Sequence, residues 1–507
     1  MHSVTPDWVK DAVFYQIFPD RFARSDRVPK PSNLESWDSP PTVYGFKGGD
    51  LLGVVEHLDY LSDLGVTAIY FNPIFQSPAN HRYHTSDYYR VDPILGGNGA
   101  LRELLGAAHA RGIRVVLDGV FNHASRAFYQ FNHTLENGAA SPYLDWFHID
   151  VERPRSGGRL IAYPDAVTKR RAREVGSLRT LGYAGWWELP ELPKFNTGTE
   201  VVRRFILDVA RFWIDFGIDG WRLDVPEEID DVAFWQEFRQ VVKAANPETY
   251  IVGEIWSDAT RWLRGDQFDA VMNYPFNRAV LGFFGGKRLD VAQRPGGFEL
   301  QRLSAGQFAD AIDQELGRYD WEVTQVQLNL LGSHDMARFL TLSGGDRDSL
   351  KLATLFQMTY PGAPSIYYGD EIGMEGNDDP DCRRAFPWDE ARWDRDVLDW
   401  FRRAIRLRHN YPALRRGRYL RLDAGDEHNV LAFARQLESD TLIVVINLGP
   451  GTFDVDVPVA GLLADGILLQ DLWGGGAARV DDGCIRGKVV ASHAAAVFGG
   501  ESKLVDK

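Results

Sequence analysis

The chain has 507 residues, 44% of them hydrophobic and 25% charged, which is enough for a large α/β domain and a smaller second domain. Its net charge is -15, so nucleic acids and anionic membranes are disfavoured as partners, and a neutral ligand such as a sugar is compatible. Cys382 and Cys484 lie far apart and form no metal-binding pattern, which indicates a reducing compartment. The N-terminus has no apolar run typical of a signal peptide, and no segment reaches the roughly 20 apolar residues of a membrane span. We therefore expect a cytoplasmic protein.

Short apolar or β-branched segments recur along the chain, mostly with amphipathic helical patterns between them. Many are apolar on both faces, as buried parallel strands are. Eight repeats of strand and helix predict an α/β fold, a (β/α)8 TIM barrel. The predicted strands are residues 12–19, 66–73, 113–121, 218–225, 249–255, 268–274, 326–335 and 365–371.

Two segments depart from this repeat. Residues 123–196 are too long for a simple loop after the third strand, so we predict an inserted subdomain there. Residues 415–507 contain short strands separated by turn residues, which predict a C-terminal antiparallel β domain, interpreted as a β-sandwich. The barrel is then built from residues 1–122 and 197–414.

Four of the predicted strands end in unusually polar residues. The C-terminal ends of parallel barrel strands converge on one mouth, so these side chains are candidates for a shared site. One polar strand end is equally well explained as a loop cap or an ion pair, but four on one rim favour a functional site. The four clusters are residues 118–123, 222–224, 254–256 and 333–335.

Carboxyl groups at such a mouth suit cleavage of a glycosidic bond. That reaction needs a proton for the leaving oxygen and a negative group beside an oxocarbenium-like sugar. Arg222 lies two residues before Asp224 on a strand, so both side chains face the same side and the guanidinium can hold the carboxylate ionised. His123 and His334 suit hydrogen bonds to sugar hydroxyls, with a purely structural role as the alternative for each.

The motifs DGVFNH (118–123), GWRLDV (220–225), GEIW (253–256) and LLGSHD (330–335) resemble, in order and spacing, the four signature regions of the α-amylase family. The resemblance implies a retaining hydrolase with Asp224 as the nucleophile and Glu254 as the general acid and base. Asp335 would bind ring hydroxyls and stabilise the distorted sugar. The other residues that the resemblance places at the site are Arg222, His123, His334 and Tyr83, which would bind the sugar, and Asp118, which would support the site structurally.

One branch of the family fits best. LPKFN (192–196) and DPDCRRAFPWD (379–389) resemble the neopullulanase, cyclomaltodextrinase and maltogenic amylase group, in which the residues at Asp379 and Arg383 bind the non-reducing sugar. Two features depart from that group. Pro226 and Glu227 replace the Ala-Asn pair that is usual in the group. The sequence also begins at the barrel without the group's N-terminal β domain, so a homodimer stays an open alternative.

A metal cofactor is not expected. The family's usual calcium loop corresponds to ARSDRVPKP (23–31), which lacks most of the expected Asn and Asp ligands. Asp50 matches one ligand position, so calcium stays an open alternative.

The sequence thus predicts a hydrolase of α-1,4 bonds, with α-1,6 bonds as a further class, in small linear, branched or cyclic maltooligosaccharides. A transglycosylase or sugar isomerase on the same scaffold is one alternative, and a non-catalytic sugar-binding or scaffold relative is a remote one. Trp146, Trp186 and Trp187 in the insert are expected to wall the cleft and favour short substrates, the alternative being that they form the insert's own core.

Overall fold

The computed structural model of the protein describes residues 5–500; residues 1–4 and 501–507, the ends of the first and last predicted domains, lie outside them. Eight of its first ten strands form a parallel barrel, which confirms the predicted fold. A parallel bridge between Met272 and Leu328 closes the barrel. These strands are β1 (Phe14–Ile17), β2 (Ala68–Phe71), β3 (Phe75–Gln76), β4 (Asp87–Val91), β5 (Arg114–Gly119), β6 (Gly220–Leu223), β7 (Tyr250–Gly253), β8 (Ala270–Val271), β9 (Leu328–Leu330) and β10 (Ala363–Tyr367).

The barrel order is β8-β7-β6-β5-β2-β1-β10-β9, and β3 and β4 form a separate antiparallel pair. Seven predicted segments contain their strand, but β10 begins at Ala363 and ends at Tyr367, so the prediction of 365–371 was shifted. The cause is Gly369, whose φ of 87° turns the chain into a short 3-10 helix at Asp370–Ile372.

Helices surround the barrel and bury one apolar face each. In α10 the residues Val202, Ile206, Val209 and Trp213 recur at helical spacing and are fully buried. The α-helices are α1 (Asp7–Asp11), α2 (Pro19–Phe22), α3 (Leu51–Glu56), α4 (Leu58–Leu64), α5 (Gly97–His109), α6 (Tyr129–Asn137), α7 (Glu152–Arg155), α8 (Ala166–Val175), α9 (Ser177–Leu181), α10 (Glu200–Phe216), α11 (Val232–Ala245), α12 (Tyr274–Phe284), α13 (Ala305–Leu316), α14 (Trp321–Thr324), α15 (Phe339–Leu342), α16 (Arg347–Thr359), α17 (Arg395–Asn410) and α18 (Pro412–Arg416).

The segment between β5 and α10 rises from the barrel mouth and carries α6 to α9. It leaves and returns through neighbouring positions, since His123 and Lys194 form an antiparallel bridge. Its own core is aromatic: Phe147 and Phe195 stack with ring centroids 5.3 Å apart. Both ends of the segment are therefore fixed to the rim where the polar strand ends meet.

The C-terminal strands form an antiparallel eight-stranded sheet and a separate pair, which confirms the predicted β domain. The domain is joined to the barrel through the completely buried Arg435, which donates to the carbonyl oxygens of Thr359 and Leu414. The strands are β11 (Arg418–Gly425), β12 (Val430–Leu437), β13 (Asp440–Asn447), β14 (Phe453–Asp454), β15 (Val457–Pro458), β16 (Leu468–Asp471), β17 (Ala477–Asp481), β18 (Cys484–Arg486), β19 (Val489–Val490) and β20 (Ala494–Gly499).

Candidate active site

The predicted polar strand ends come together at one mouth of the barrel. Asp118 lies in β5, Asp224 and Glu254 directly follow β6 and β7, and Asp335 lies in the loop after β9. The first three side chains are buried, and Asp335 is half-buried. Parallel pairing of β5, β6 and β7 brings their ends into contact.

Arg222, completely buried in β6, binds three of these carboxyl groups at once. Its Nη1 donates to Asp118 Oδ1 and Oδ2 at 2.9 and 3.0 Å and to Asp224 Oδ1 at 3.1 Å. Its Nη2 lies 2.9 Å from Glu254 Oε2. One planar guanidinium therefore fixes the relative positions of Asp118, Asp224 and Glu254.

Asp224 keeps one carboxylate oxygen free for a ligand. Its Oδ1 is held by Arg222, whereas Oδ2 is buried and makes no hydrogen bond within residues 5–500. The next residue, Val225, has φ 35° and ψ 52°, a left-handed conformation that is costly for a β-branched residue. Strain of this kind concentrates at functional sites, where the surrounding structure maintains it.

Glu254 is surrounded by hydrogen-bond donors. Val225 N donates to Oε2 at 3.1 Å, and Trp256 Nε1 donates to Oε1 at 3.2 Å. The guanidinium of Arg222 lies beside Oε2 on the barrel side. All three groups fix the position of the Glu254 carboxyl group at the mouth.

Asp335 is linked to the two residues that were predicted to bind the non-reducing sugar. Arg383 Nη2 donates to Asp335 Oδ1 at 3.3 Å, and its Nη1 lies 2.9 Å from Asp379 Oδ1. His334 Nε2 lies 3.1 Å from Asp335 Oδ2. The structure therefore brings Asp379 and Arg383 to the same rim as Asp335.

The two histidines of the mouth are neutral. Burial lowers the pKa of His123 to about 3, and burial together with the charge of Arg383 lowers the pKa of His334 well below its ordinary value. Gln16 Nε2 lies 3.0 Å from His334 Nδ1, so Nδ1 accepts and Nε2 carries the ring proton. Both histidines therefore act as uncharged hydrogen-bonding groups.

Tyr83 lies flat against His334, with ring centroids 5.4 Å apart and planes inclined by 8°. Its hydroxyl donates to Asp118 Oδ2 at 2.9 Å and lies 2.6 Å from His334 Nε2. Tyr83, which was predicted to bind the sugar, is thus fixed between Asp118 and His334 in the mouth.

Four carboxyl groups share this mouth with the guanidinium groups of Arg222 and Arg383. Burial raises the pKa of Asp335 to about 7, and repulsion from Glu254 adds to the shift. Burial also raises the pKa of Asp224, while Arg222 opposes the change. Burial and mutual repulsion therefore both raise the proton affinity of Asp224 and Asp335, and the guanidinium groups oppose the change.

Sequence reasoning missed several uncharged residues, because it considered mainly charged and histidine side chains at the strand ends. Gln16 and Asn72 come from the ends of β1 and β2, and a search for every polar strand-end residue would have found them. Trp256 and Tyr274 stack face to face, with ring centroids 3.5 Å apart. Trp256 lies in the predicted cluster of residues 254–256, whereas no sequence signal distinguishes Tyr274 from core aromatics.

Aromatic rings form a continuous stack from the site to solvent. Ring centroids are 5.0 Å apart between His123 and Trp186 and 4.7 Å apart between Trp186 and Trp187. Trp187 is 73% exposed and has a φ of 50°. Trp146 instead lies in the buried core against Phe205, so its predicted place in the cleft wall was wrong: it faces α10 rather than the mouth.

The candidate calcium position, Asp50, is bound by the protein's own donors. Its Oδ2 lies 2.8 Å from Lys30 Nζ and accepts from Ser25 N, while Oδ1 accepts from Gly53 N at 2.7 Å. Lys30 Nζ also donates to Ile94 O at 2.8 Å. Calcium takes roughly six to eight oxygen ligands, and an ammonium group already lies against this carboxylate. These residues do not fit a calcium site.

Comparison with known proteins assigns the family. Residues 16–404 match the model of the α-amylase catalytic domain, and residues 419–499 match that of the neopullulanase-like C-terminal domain. The chain belongs to the α-amylase family of glycoside hydrolases. Among residues 5–500, no helix is long and apolar enough to cross a membrane.

The relatives include a cyclomaltodextrinase, a debranching enzyme and a cyclic α-maltosyl-(1→6)-maltose hydrolase. A cyclomaltodextrinase of Geobacillus thermopakistaniensis is 45% identical over 456 residues, which are 90% of this chain and 71% of the relative. The debranching enzyme of Nostoc punctiforme has a structure with a TM-score of 0.87 and 46% identity, covering 99% of this chain and 100% of that one. The cyclic α-maltosyl-(1→6)-maltose hydrolase of Arthrobacter globiformis gives a TM-score of 0.83 at 36% identity, covering 98% and 100%.

Proposed function

We propose that the protein is a retaining hydrolase of short maltooligosaccharides, with Asp224 as the nucleophile, Glu254 as the general acid and base, and Asp335 as the carboxylate that binds the sugar. The observation that carries the proposal is the guanidinium of Arg222, which binds Asp224 and Glu254 at once at the barrel mouth. In this proposal Arg222 holds the nucleophile and the proton donor in a fixed position relative to each other.

The proposed reaction has two displacements. Asp224 Oδ2 attacks the anomeric carbon while Glu254 protonates the departing glycosidic oxygen, which leaves a glycosyl-enzyme ester. Glu254, now ionised, removes a proton from water, and the water oxygen attacks the anomeric carbon and releases Asp224. Asp335 and the neutral His123 and His334 hold the ring hydroxyls during both steps.

The cleft favours short, branched or cyclic chains. We infer that the stack of His123, Trp186 and Trp187 walls one side of the mouth and that Asp379 with Arg383 delimits the rim on which Asp335 lies; the ring contacts and the ion pair support this. The names of the relatives support cyclic and branched substrates, and the names of the Nostoc and Arthrobacter enzymes support α-1,6 bonds in addition to α-1,4 bonds.

We further propose that the enzyme needs no metal ion and acts in the cytoplasm. The contact of Lys30 with Asp50 supports the first point, because the ammonium group supplies the positive charge beside this carboxylate. Cys382 and Cys484 are both free thiols, which supports a reducing compartment.

A substrate panel followed by proton NMR tests the proposal. Maltotriose, panose, cyclomaltodextrins, a branched cyclic tetrasaccharide, pullulan and starch are incubated with the enzyme, and products are resolved over time. We expect the α-anomer of the product first, because two displacements retain configuration. A β-anomer as the first product, or no hydrolysis of any member of the panel, contradicts the proposal.

A further inference from the structure

The two oxygens of the Glu254 carboxyl group are held unequally. Oε2 lies against both Val225 N and Arg222 Nη2, at 3.1 and 2.9 Å. Within residues 5–500 the only hydrogen bond to Oε1 comes from Trp256 Nε1, at 3.2 Å. Trp256 is half-buried and lies two residues after Glu254. The direction of Oε1 therefore depends on the position of one indole ring.

Two contacts confine this ring. Trp256 stacks on the completely buried Tyr274, with ring centroids 3.5 Å apart and planes inclined by 11°. Gly296, which comes from the loop after α12, packs on the six-membered part of the indole. A Cβ atom at Gly296 would lie 2.7 Å from Trp256 Cη2 and closer still to Cζ3 and Cε3. Such distances are well inside the roughly 3.5–4 Å at which non-bonded carbon atoms attract, so only glycine fits there.

The turn that carries Gly296 is itself held in place. It is the 3-10 turn Pro295–Gly297, in which Pro295 is buried and Gly296 has a φ of 59°. Phe298 N closes the turn by donating to Pro295 O at 3.2 Å. The guanidinium of Arg278 in α12 covers the Phe298 ring, 4.3 Å from its centroid. The position of Gly296 against the indole is thus set by contacts with α12.

The neighbouring glycine offers an internal contrast. Gly297 also has a positive φ, of 83°, yet a Cβ atom there would meet no atom within 4 Å. Alanine adopts a left-handed backbone at a cost at either position. Only at Gly296 would the methyl group also displace Trp256, so the two positions separate backbone strain from the contact with the ring.

A displaced ring has space to enter. A cavity of about 730 Å³ lies beside Trp256 between α12 and α13, and Phe298 and Arg278 also line it. Tyr274 is completely buried and leaves no room on its side. An added methyl group at Gly296 would therefore shift the indole and draw Nε1 away from Glu254 Oε1.

We propose that Gly296 is a positioning residue of the acid–base step: the absence of a side chain there lets the turn Pro295–Gly297 confine Trp256, which directs Oε1 of Glu254 toward the departing oxygen. The inference rests on the proposed function and adds a loop that its mechanism does not use. Gly296 acts through Trp256 rather than by contact with the sugar.

The test compares two aryl maltosides in the wild-type enzyme, Gly296→Ala and Gly297→Ala. Phenyl and 2,4-dinitrophenyl α-maltoside place the same ring beside the bond that breaks, but dinitrophenolate leaves without protonation and phenolate does not. The ratio kcat/KM is measured because it reports formation of the glycosyl-enzyme and not its later hydrolysis.

In Gly296→Ala we expect kcat/KM to fall by about 100-fold on the phenyl maltoside, the lower end of what a well-placed general acid contributes. On the dinitrophenyl maltoside it should stay within about threefold of wild type, because that leaving group does not need the acid. Gly297→Ala should keep both values close to those of the wild type.

A double variant shows whether Gly296 acts through the indole. Trp256→Phe removes Nε1 and the outer carbons on which Gly296 packs, so it should show the same selective loss on the phenyl maltoside. Gly296→Ala added to Trp256→Phe should change kcat/KM by no more than about twofold, because the contact is already gone. If Gly296→Ala alone does not fold, the double variant carries the test, since the smaller ring leaves room for the methyl group.

Three results overturn the inference. They are equal effects of Gly296→Ala on the two maltosides, a selective loss in Gly297→Ala as large as in Gly296→Ala, and a further loss of more than about twofold in the double variant relative to Trp256→Phe. A wild-type enzyme that hydrolyses neither maltotriose nor either maltoside instead overturns the proposed function.

Discussion

Replacing Lys30 by methionine tests whether the ammonium group of this residue compensates the charge of Asp50 in place of a bound cation. Lys30 Nζ lies 2.8 Å from Asp50 Oδ2, and Asp50 is completely buried between α2 and α3. Methionine keeps much of the length and apolar volume of the lysine stem but has no charge. We expect Lys30→Met to lower the free energy of unfolding because Asp50 is then a buried carboxylate without a counter-ion.

The size of the effect follows from the geometry. Two unit charges 2.8 Å apart attract by about 6 kcal/mol at an effective dielectric constant of about 20. Desolvation and side-chain ordering reduce that value, and removal of one partner from a buried pair costs about 3–5 kcal/mol. Asp50 retains the amide donors of Ser25 and Gly53, so we expect a loss of about 2–3 kcal/mol.

Urea unfolding followed by tryptophan fluorescence measures this loss. Arg27→Met is the matched control. Arg27 lies in the same segment as Lys30 but forms its ion pair, with Glu103, at the surface, so little change in the free energy of unfolding is expected. Activity on maltotriose should be the same with and without a chelator. Equal unfolding midpoints for Lys30→Met and wild type, or activity that chelation removes and calcium restores, refute this reasoning.

Three further predictions concern the site and its cleft. Asp224→Asn should reduce kcat on maltotriose to below a few per cent of wild type while binding of the sugar, measured by calorimetry, persists; higher residual turnover argues against Asp224 as the nucleophile. Glu254→Gln should be equally slow on maltotriose but should still form the glycosyl-enzyme from α-maltosyl fluoride in a rapid burst, and equal damage to both substrates argues against Glu254 as the acid. The value of kcat/KM on maltooligosaccharides or a cyclic glucan should exceed that on soluble starch by at least about tenfold, or roughly 1.4 kcal/mol. Trp187→Ala should reduce this ratio of the two kcat/KM values. Similar kcat/KM values on short substrates and on starch in the wild type indicate an open cleft.

Barrel strands were predictable because each carries its signal locally. A strand buried on both faces, such as β6 or β7, is a short apolar run in the sequence, and its polar end marks the mouth. Residues 50–65 form one of the amphipathic patterns between the predicted strands, but the structure divides this pattern into two helices at His57, whose Nδ1 lies 2.8 Å from the carbonyl oxygen of Gly53. A local pattern of hydrophobicity contains no information about such a break.

The site was predictable where residue type and strand end coincide. Asp224, Glu254 and Asp335 could be located because charged groups are rare at the ends of buried strands. Trp146 could not be assigned correctly, since a tryptophan in an insert has the same local signal whether it faces a cleft or a core. The contact of Val225 N with Glu254 Oε2 was also hidden, because it depends on the left-handed conformation of Val225 after β6.

The structure places the proposed chemistry and the proposed selectivity on different parts of the chain. The carboxyl groups stand on barrel strands whose positions are set by the register of β5, β6 and β7 and by the completely buried Arg222. The aromatic stack of His123, Trp186 and Trp187 stands on the insert. The two ends of the insert pair at the His123–Lys194 bridge, and the ion pair of Lys194 with Glu228 joins the insert to the turn after β6. Truncating the exposed side chain of Trp187 leaves every contact of Arg222 intact. The length of substrate that the cleft accepts can therefore change without loss of the acid–base geometry. Changes at Lys194 are different, because this residue belongs to the insert and also pairs with Glu228 in the turn that follows Asp224.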